Sequence, residues 1–123
     1  MSELVFKRKA GTLTWGATRF KAVSGPHGKG PLPLGQYEIR TRHVVANRSM
    51  SNSYEDKATG NRWFIPIEPL FNTTRDGFGI HPDGNMPGTL GCIGLTSTDA
   101  NGFWTSWIKT PLAARPTKLR VIE

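Results

Sequence analysis

The sequence predicts a mainly β domain with one helix near its end. Its 123 residues include 14 Gly and 9 Pro, which favour turns over long helices. Short apolar runs of strand length lie between these turn residues, and the apolar spacing of a helix occurs only after residue 96. The length is that of one domain, which we assign to residues 1–123.

The chain is predicted to open with three short strands, at residues 4–7, 12–15 and 18–23. Gly11 and Gly16 separate these apolar runs and are expected to form the turns of a meander. The following residues, 24–35, contain four Gly and three Pro, so they can form neither a helix nor a central strand.

Four further strands and one loop are predicted in the middle of the chain. Residues 36–45 alternate apolar and polar side chains, which indicates a strand with one solvated, basic face. Residues 46–62 are polar and are expected to form an exposed loop. Residues 63–71 are the most apolar run, but their two prolines indicate an edge or bulged strand. Short strands are also expected at 78–84, ending at Pro82, and at 91–95.

One helix is predicted near the end of the chain. Ser97 or Thr98 is expected to be its N-cap, and Asp99 places negative charge at the positive end of the helix dipole. Its apolar residues repeat at helical spacing, and they are Phe103, Trp104, Trp107 and Ile108. Pro111 is expected to end the helix, and residues 117–123 are predicted to form a final strand.

Composition and charge exclude several classes of protein. No apolar run is long enough to cross a membrane, and the first residues lack a standard secretory signal. A single cysteine excludes an internal disulfide, and no metal or other cofactor is implied. The net charge is +7, and residues 1–62 carry eleven of the sixteen basic side chains. This basic half indicates either an anionic partner (nucleic acid, a membrane surface or a cell-wall polymer) or simply a solvated surface.

Cys92 is the only strong candidate nucleophile. Gly91 and Gly94 flank it, so backbone N–H groups near the thiol are accessible to a substrate oxyanion. His81 precedes it by eleven residues, across a turn-rich loop that can bring two strand ends together. A neighbouring imidazole is expected to hold the thiol proton and stabilise the thiolate, so that Cys92 reacts rapidly with alkylating reagents near neutral pH. The alternative is a buried, inert cysteine and a turn histidine.

A family resemblance favours the catalytic interpretation. Residues 79–104, GIHPDGNMPGTLGCIGLTSTDANGFW, resemble the catalytic segment of the YkuD-type L,D-transpeptidases, and GPLPLGQYEI at 30–39 is similar to a strand entry of the same family. The ending TKLRVIE resembles its closing strand. The segment FKAVSG at 20–25 resembles a smaller branch that includes type VI secretion effectors and phage-borne relatives. Two positions depart from the larger family: Leu90 stands where it usually has His, and Gly94 where it usually has Arg.

The resemblance implies a compact β-sandwich or barrel-like domain and a cysteine acyltransferase or peptidase. The substrate would be a peptidoglycan stem tetrapeptide, which Cys92 attacks while His81 transfers protons and the Gly91 region holds the oxyanion. Hydrolysis, cross-linking or exchange of the terminal D-amino acid would complete the reaction. The Pro82 carbonyl or Asp83 is expected to orient the imidazole. The substrate-binding candidates are Thr89, Asp83 and His27.

The sequence leaves the partners, the site of action and two alternative functions open. The enzyme is expected to be a monomer, made in the cytoplasm and acting in the bacterial periplasm after secretion-system delivery or phage lysis, with an immunity protein as a further partner. The alternatives are a cell-wall cysteine endopeptidase (an endolysin) and a non-catalytic basic binding module, although no nucleic-acid motif is present. His43 and three tryptophans (Trp63, Trp104, Trp107) are expected to be structural rather than ligand-binding. Three arginines (Arg40, Arg42, Arg48) are candidates for attracting stem-peptide carboxylates or wall polymers, against a default of a solvated basic face.

Overall fold

A computed structural model describes residues 3–24, 31–83 and 92–123. Within these ranges there are eight strands: β1 (Leu4–Lys7), β2 (Thr12–Trp15), β3 (Thr18–Val23), β4 (Gly35–Ile39), β5 (Ile65–Pro69), β6 (Gly79–Pro82), β7 (Ile93–Leu95) and β8 (Lys118–Ile122). One α-helix, α1 (Ser97–Lys109), and two short 3-10 helices, Asn52–Tyr54 and Leu112–Ala114, complete the described elements. None of these helices has the length and apolar content that a membrane crossing requires.

The eight described strands form a closed barrel in the order β1-β2-β3-β7-β6-β5-β4-β8. Most neighbours are antiparallel, but β1 pairs with β8 in parallel and β6 pairs with β7 in parallel. Alternate strand residues point into the barrel, which buries Leu4, Phe6, Leu13, Leu119 and Val121 completely or nearly so. The predicted mainly β fold with one late helix is therefore confirmed.

The opening meander lies where the sequence predicts it, because glycine permits the turn conformations that join its strands. Gly11 and Gly16 have φ angles of 69° and 60°, in the left-handed region that other residues rarely adopt. The strands on either side pair antiparallel, with Leu4 opposite Trp15 and Leu13 opposite Phe20.

Helix α1 covers one side of the barrel. Its buried residues are Ala100, Phe103 and Trp107, and the Phe103 ring meets the Phe20 ring of β3 at 5.4 Å. The N-cap is Thr96, one position before the residues predicted for that role. Asp99 accepts a hydrogen bond from the Lys21 backbone N–H of β3 at 2.6 Å, so it joins the first turn to the barrel.

The predicted strand at 36–45 is too long. Strand β4 ends at Ile39, and the chain then turns through backbone hydrogen bonds from Thr41 to Ile39 and from His43 to Arg40. His43 is therefore exposed in a turn rather than held on a strand face. Alternation of side chains continues through this turn by chance, so the pattern alone did not show where pairing stops.

Of the two alternatives predicted for the apolar run at 63–71, an edge or a bulged strand, the edge strand is wrong. The ordered part of the run, β5, pairs with β4 on one side and with β6 on the other. The Ile67 N–H donates to the Phe78 carbonyl on the β6 side, so the alternating position Pro66 faces β4 just beyond its last residue, Ile39. The Pro66 carbonyl accepts from the Arg40 N–H at 2.9 Å, but proline has no N–H to return a bond, so the β4–β5 ladder ends at Ile39 opposite Ile67.

Candidate active site

The two candidate catalytic side chains lie on neighbouring parallel strands. Ile80 of β6 is opposite Ile93 of β7, and His81 is opposite Gly94. Extending this register by one residue places Cys92 beside Gly79, two positions before His81 and on the same face. With strands about 4.8 Å apart and a rise of about 3.3 Å per residue, the Cα atoms of Cys92 and His81 are separated by roughly 8 Å, which two side chains can span.

The orientation of His81 is fixed by its own strand end. Its ring nitrogen Nδ1 lies 2.7 Å from the Pro82 carbonyl oxygen, and because a carbonyl can only accept, Nδ1 donates. The Nε2 atom then carries the lone pair and is the atom available to accept a proton. The Pro82 carbonyl is one of the two orienting groups expected from the sequence.

Two aromatic rings enclose the imidazole. The Phe64 ring is stacked on it, with centroids 6.0 Å apart and planes 18° apart. The Tyr54 ring meets it edge-on at 5.0 Å. His81 is only 7% exposed, and this burial lowers its pKa, while the Pro82 hydrogen bond raises it by a smaller amount. The imidazole is therefore held neutral at neutral pH.

The environment of Cys92 also favours its neutral form. Burial raises the pKa of the thiol, and a backbone hydrogen bond from Gly79 and the positive charge of Arg75 lower it by smaller amounts. Its Sγ lies 3.7 Å from the Gly77 carbonyl oxygen. The thiolate that we expected beside the imidazole is thus not the favoured resting state. Near neutral pH both groups are therefore neutral, and Nε2 of His81 can accept a proton.

Sequence reasoning missed three residues that shape this site. Tyr54 and Phe64 were assigned to a loop and to an apolar strand, and Arg75 was not singled out. Arg75 is held near the site by a hydrogen bond to the Pro31 carbonyl at 3.1 Å and by its position over the Phe78 ring, 5.2 Å from the centroid. A lone tyrosine within a polar loop was the one signal that could have indicated Tyr54.

The other predicted site residues are placed only in part. Asp83 directly follows β6, and its N–H donates to the Leu95 carbonyl at 2.7 Å, which continues the β6–β7 pairing. Gly91, Thr89 and His27 lie outside the described residues. In the described ranges, no group of three His, Cys, Asp or Glu side chains is arranged to hold a metal ion.

Comparisons with known proteins identify the family of this fold. The family model of the YkuD L,D-transpeptidase catalytic domain matches residues 4–111. An L,D-transpeptidase structure from Mycobacterium tuberculosis is 18% identical with a TM-score of 0.58, and it covers 99% of this chain and 57% of its own. The structure of L,D-transpeptidase 1 from the same organism is 15% identical with a TM-score of 0.51, covering 99% of this chain and 59% of its own. The chain thus spans less than two thirds of either protein. No curated protein sequence matches significantly.

Proposed function

Because the chain belongs to the YkuD family of L,D-transpeptidase catalytic domains, we propose that it modifies peptidoglycan by acyl transfer from stem tetrapeptides. One observation carries the proposal. Cys92 and His81 lie on the same face of adjacent parallel strands, and the Pro82 carbonyl leaves Nε2 of the imidazole free to accept a proton.

The first half-reaction forms a thioester. The Cys92 thiol gives its proton to Nε2 of His81 as sulfur attacks the carbonyl of the third stem residue. The tetrahedral oxyanion would be held by backbone N–H groups of Cys92 and the Gly91 region. As the amide bond breaks, the imidazolium gives the proton to the departing amine, and the terminal D-alanine leaves.

The second half-reaction depends on the acceptor. Water would release the shortened stem, an amine of another stem would form a cross-link, and a free D-amino acid would replace the terminal residue. In each case neutral His81 removes a proton from the attacking acceptor, and the resulting imidazolium returns it to sulfur as the C–S bond breaks and the thiol leaves. Thr89, Asp83 and His27 are the proposed contacts to the stem peptide.

The proposed activity is tested by identifying the products formed from defined muropeptides. Wild type and Cys92→Ala are incubated with disaccharide tetrapeptides, and the products are identified by mass. Loss of only the terminal alanine, its exchange, or a cross-linked dimer supports the proposal if Cys92→Ala abolishes it. A mass increase on Cys92 equal to the acyl fragment would identify the thioester directly.

Other products would assign a different activity. Cleavage inside the stem or of existing cross-links identifies the cysteine endopeptidase considered above. No turnover by a folded wild type, with intact binding to wall polymers, identifies the non-catalytic module. The role as an antibacterial effector or phage-lysis enzyme, acting in the periplasm with an immunity protein, stays a prediction.

A further inference from the structure

A cavity lies between the long β4–β5 connection and helix α1. It has a volume of about 450 Å³, within the range of small-molecule sites. Its described walls do not include Cys92 or His81. They come from the start and the later part of the β4–β5 connection and from α1. The wall residues that could contact a ligand are Asn47, Arg48, Glu55, Asn61, Arg62 and Trp104.

One wall of the cavity belongs to a turn that is organised by a buried carboxylate. Asp56 is 2% exposed, and its side chain accepts hydrogen bonds from the Ala58 N–H at 3.0 Å and the Thr59 hydroxyl at 3.1 Å. Its own N–H donates to the Asn61 carbonyl at 2.7 Å. These bonds fix the backbone from 56 to 61 and therefore the position of the Asn61 amide.

Arg62 ties the two halves of the connection together. Its guanidinium donates to the Met50 carbonyl at 2.6 Å and the Arg48 carbonyl at 3.3 Å, and it lies 3.7 Å from the Glu55 carboxylate. These bonds fix the backbone of Arg48. The Arg48 guanidinium itself has no ion pair with any residue in the described ranges, and its side chain is exposed at the cavity.

Trp104 supplies an aromatic wall. It projects from α1 and stacks on the fully buried Trp63, with centroids 4.9 Å apart and planes 9° apart. Trp104 is half-buried and lines the cavity, so the stack holds the indole in one orientation while part of it remains accessible. A fixed aromatic face costs little conformational entropy when a ligand binds.

The chemistry of these walls matches a sugar ring. A saccharide presents hydroxyl and acetamido groups that both donate and accept hydrogen bonds, and it has an apolar C–H face. Asn47 and Asn61 can donate and accept, Arg48 donates and Glu55 accepts. Trp104 offers the flat apolar surface for the C–H face.

Two residues of the cavity wall are close in sequence to the rings that enclose His81. Glu55 directly follows Tyr54, and Arg62 lies two residues before Phe64, so both neighbour a ring that contacts His81. The imidazole lies 6.0 Å from the Phe64 ring centroid, and two extended residues, about 6.6 Å, separate Phe64 from Arg62, so the distance involved is on the order of 10 Å. Three extended peptide residues reach about 10 Å, which is comparable.

We propose that this cavity binds an amino-sugar unit of the glycan strand from which the stem peptide extends. The inference rests on the proposed function. The enzyme would then recognise the glycan as well as the peptide. Sugar contacts at Trp104 and Arg48 would place the third stem residue at Cys92.

The test compares a free tetrapeptide with the same tetrapeptide on its disaccharide. Wild type is expected to have a kcat/KM about tenfold higher for the disaccharide form, the value of one good polar or aromatic contact. Trp104→Leu and Arg48→Ala are each expected to bring that ratio close to one. Arg48 is exposed, so its variant tests the site even if loss of the Trp63–Trp104 stack impairs folding. Arg19→Ala, an exposed arginine of β3, is the matched control and should keep the ratio. Equal wild-type values for both substrates, or a ratio unchanged in both variants, overturns the inference.

A binding measurement separates this inference from the proposed function. Oligomers of N-acetylglucosamine are titrated into Cys92→Ala protein, followed by calorimetry, with and without Trp104→Leu or Arg48→Ala. Binding that either variant weakens supports the sugar site even if no muropeptide is turned over, in which case only the proposed function fails. Turnover of both substrates without oligosaccharide binding overturns the sugar site and leaves the proposed function standing.

Discussion

At the scale of single residues, burial moves the pKa values of the two candidate catalytic side chains, His81 and Cys92, further apart. It lowers the pKa of the His81 imidazole and raises that of the Cys92 thiol. Between these two values both groups are neutral, and in the proposed mechanism the proton moves only as sulfur attacks the substrate. In the proposed mechanism this is the proton arrangement of a hydroxyl nucleophile with a histidine base, with sulfur as the nucleophile.

This arrangement predicts different pH dependences for two reactions of Cys92. Alkylation by iodoacetamide follows the thiolate, so its rate should be low near neutrality and rise above the ordinary thiol pKa of about 8.5. Turnover requires neutral His81, so kcat/KM should already be on its plateau at neutral pH and fall only below the ordinary imidazole value of about 6.5.

Rates measured between pH 5 and 10 check both profiles on one preparation, with Cys92→Ala as the unreactive control. This expectation replaces the rapid neutral alkylation inferred from the sequence. An alkylation rate that reaches its plateau by pH 7 would instead show a resting thiolate–imidazolium pair, and the burial argument would be wrong.

At the scale of elements, the first residue of β6 controls the support of the imidazole. Gly79 leaves room for the Phe64 ring: an added Cβ would lie 2.1 Å from its nearest carbon. Gly79→Ala must therefore displace the ring that is stacked on His81. We expect a loss of about 1–3 kcal/mol in unfolding free energy, typical of overpacking, together with reduced kcat/KM.

Denaturant unfolding and kinetics measure both effects. The double variant Gly79→Ala/Phe64→Leu is the informative control, since the smaller side chain makes space for the methyl group. It should recover stability but not activity, because the flat face against the imidazole is lost. Full activity in Gly79→Ala would show that the stacking does not position His81.

Helix α1 offers a substitution with the opposite sign. Gly102 is exposed in the helix interior, and an added Cβ would meet the nearest Phe20 carbon at an ordinary 3.6 Å. Gly102→Ala is expected to raise the unfolding free energy by about 0.5–1 kcal/mol, because alanine loses less backbone freedom. Thermal or urea unfolding checks it, and a decrease in stability would mean that the contact with Phe20 is tighter than it appears.

The strands and the helix also show which parts of the fold can be predicted from the sequence. Strands β1–β3 and helix α1 were predicted closely, because glycine turns and helical apolar spacing are local signals. The early end of β4 and the central position of β5 depend on which strands pair, and pairing is not local. Cys92 and His81 became candidates through their residue types and a resemblance, and their catalytic role stays a prediction. Tyr54, Phe64 and the Trp104 cavity arise because the connection at 46–62 folds back through the Glu55–Arg62 and Val45–Phe64 bridges.

At the scale of the whole molecule, the barrel is closed by the pairing of its first and last strands. Strand β8 pairs with β1 in parallel and with β4 antiparallel, so it fills the gap between two edges. Leu119 and Val121 are buried in the core, and Arg8 forms an ion pair and hydrogen bonds with Glu123. Contacts this distant in sequence form late and are costly to nucleate, which is typical of slow, cooperative folding.

Deleting residues 118–123 should therefore destroy the fold rather than fray one end. The deletion would expose the edges of β1 and β4 together with the apolar interior, and unpaired edges favour aggregation. We expect loss of the cooperative thermal transition and growth of large species in size-exclusion chromatography. Deleting Glu123 alone is the matched control: it removes the surface ion pairs of Glu123 with Arg8 and Lys9 and leaves β8 complete, so only a small shift in Tm is expected. A truncated protein that stays monomeric and unfolds cooperatively would mean that the remaining strands are stable as an open sheet. Closure of the barrel would then not be what holds β6 and β7 in register, nor what keeps His81 and Cys92 close together.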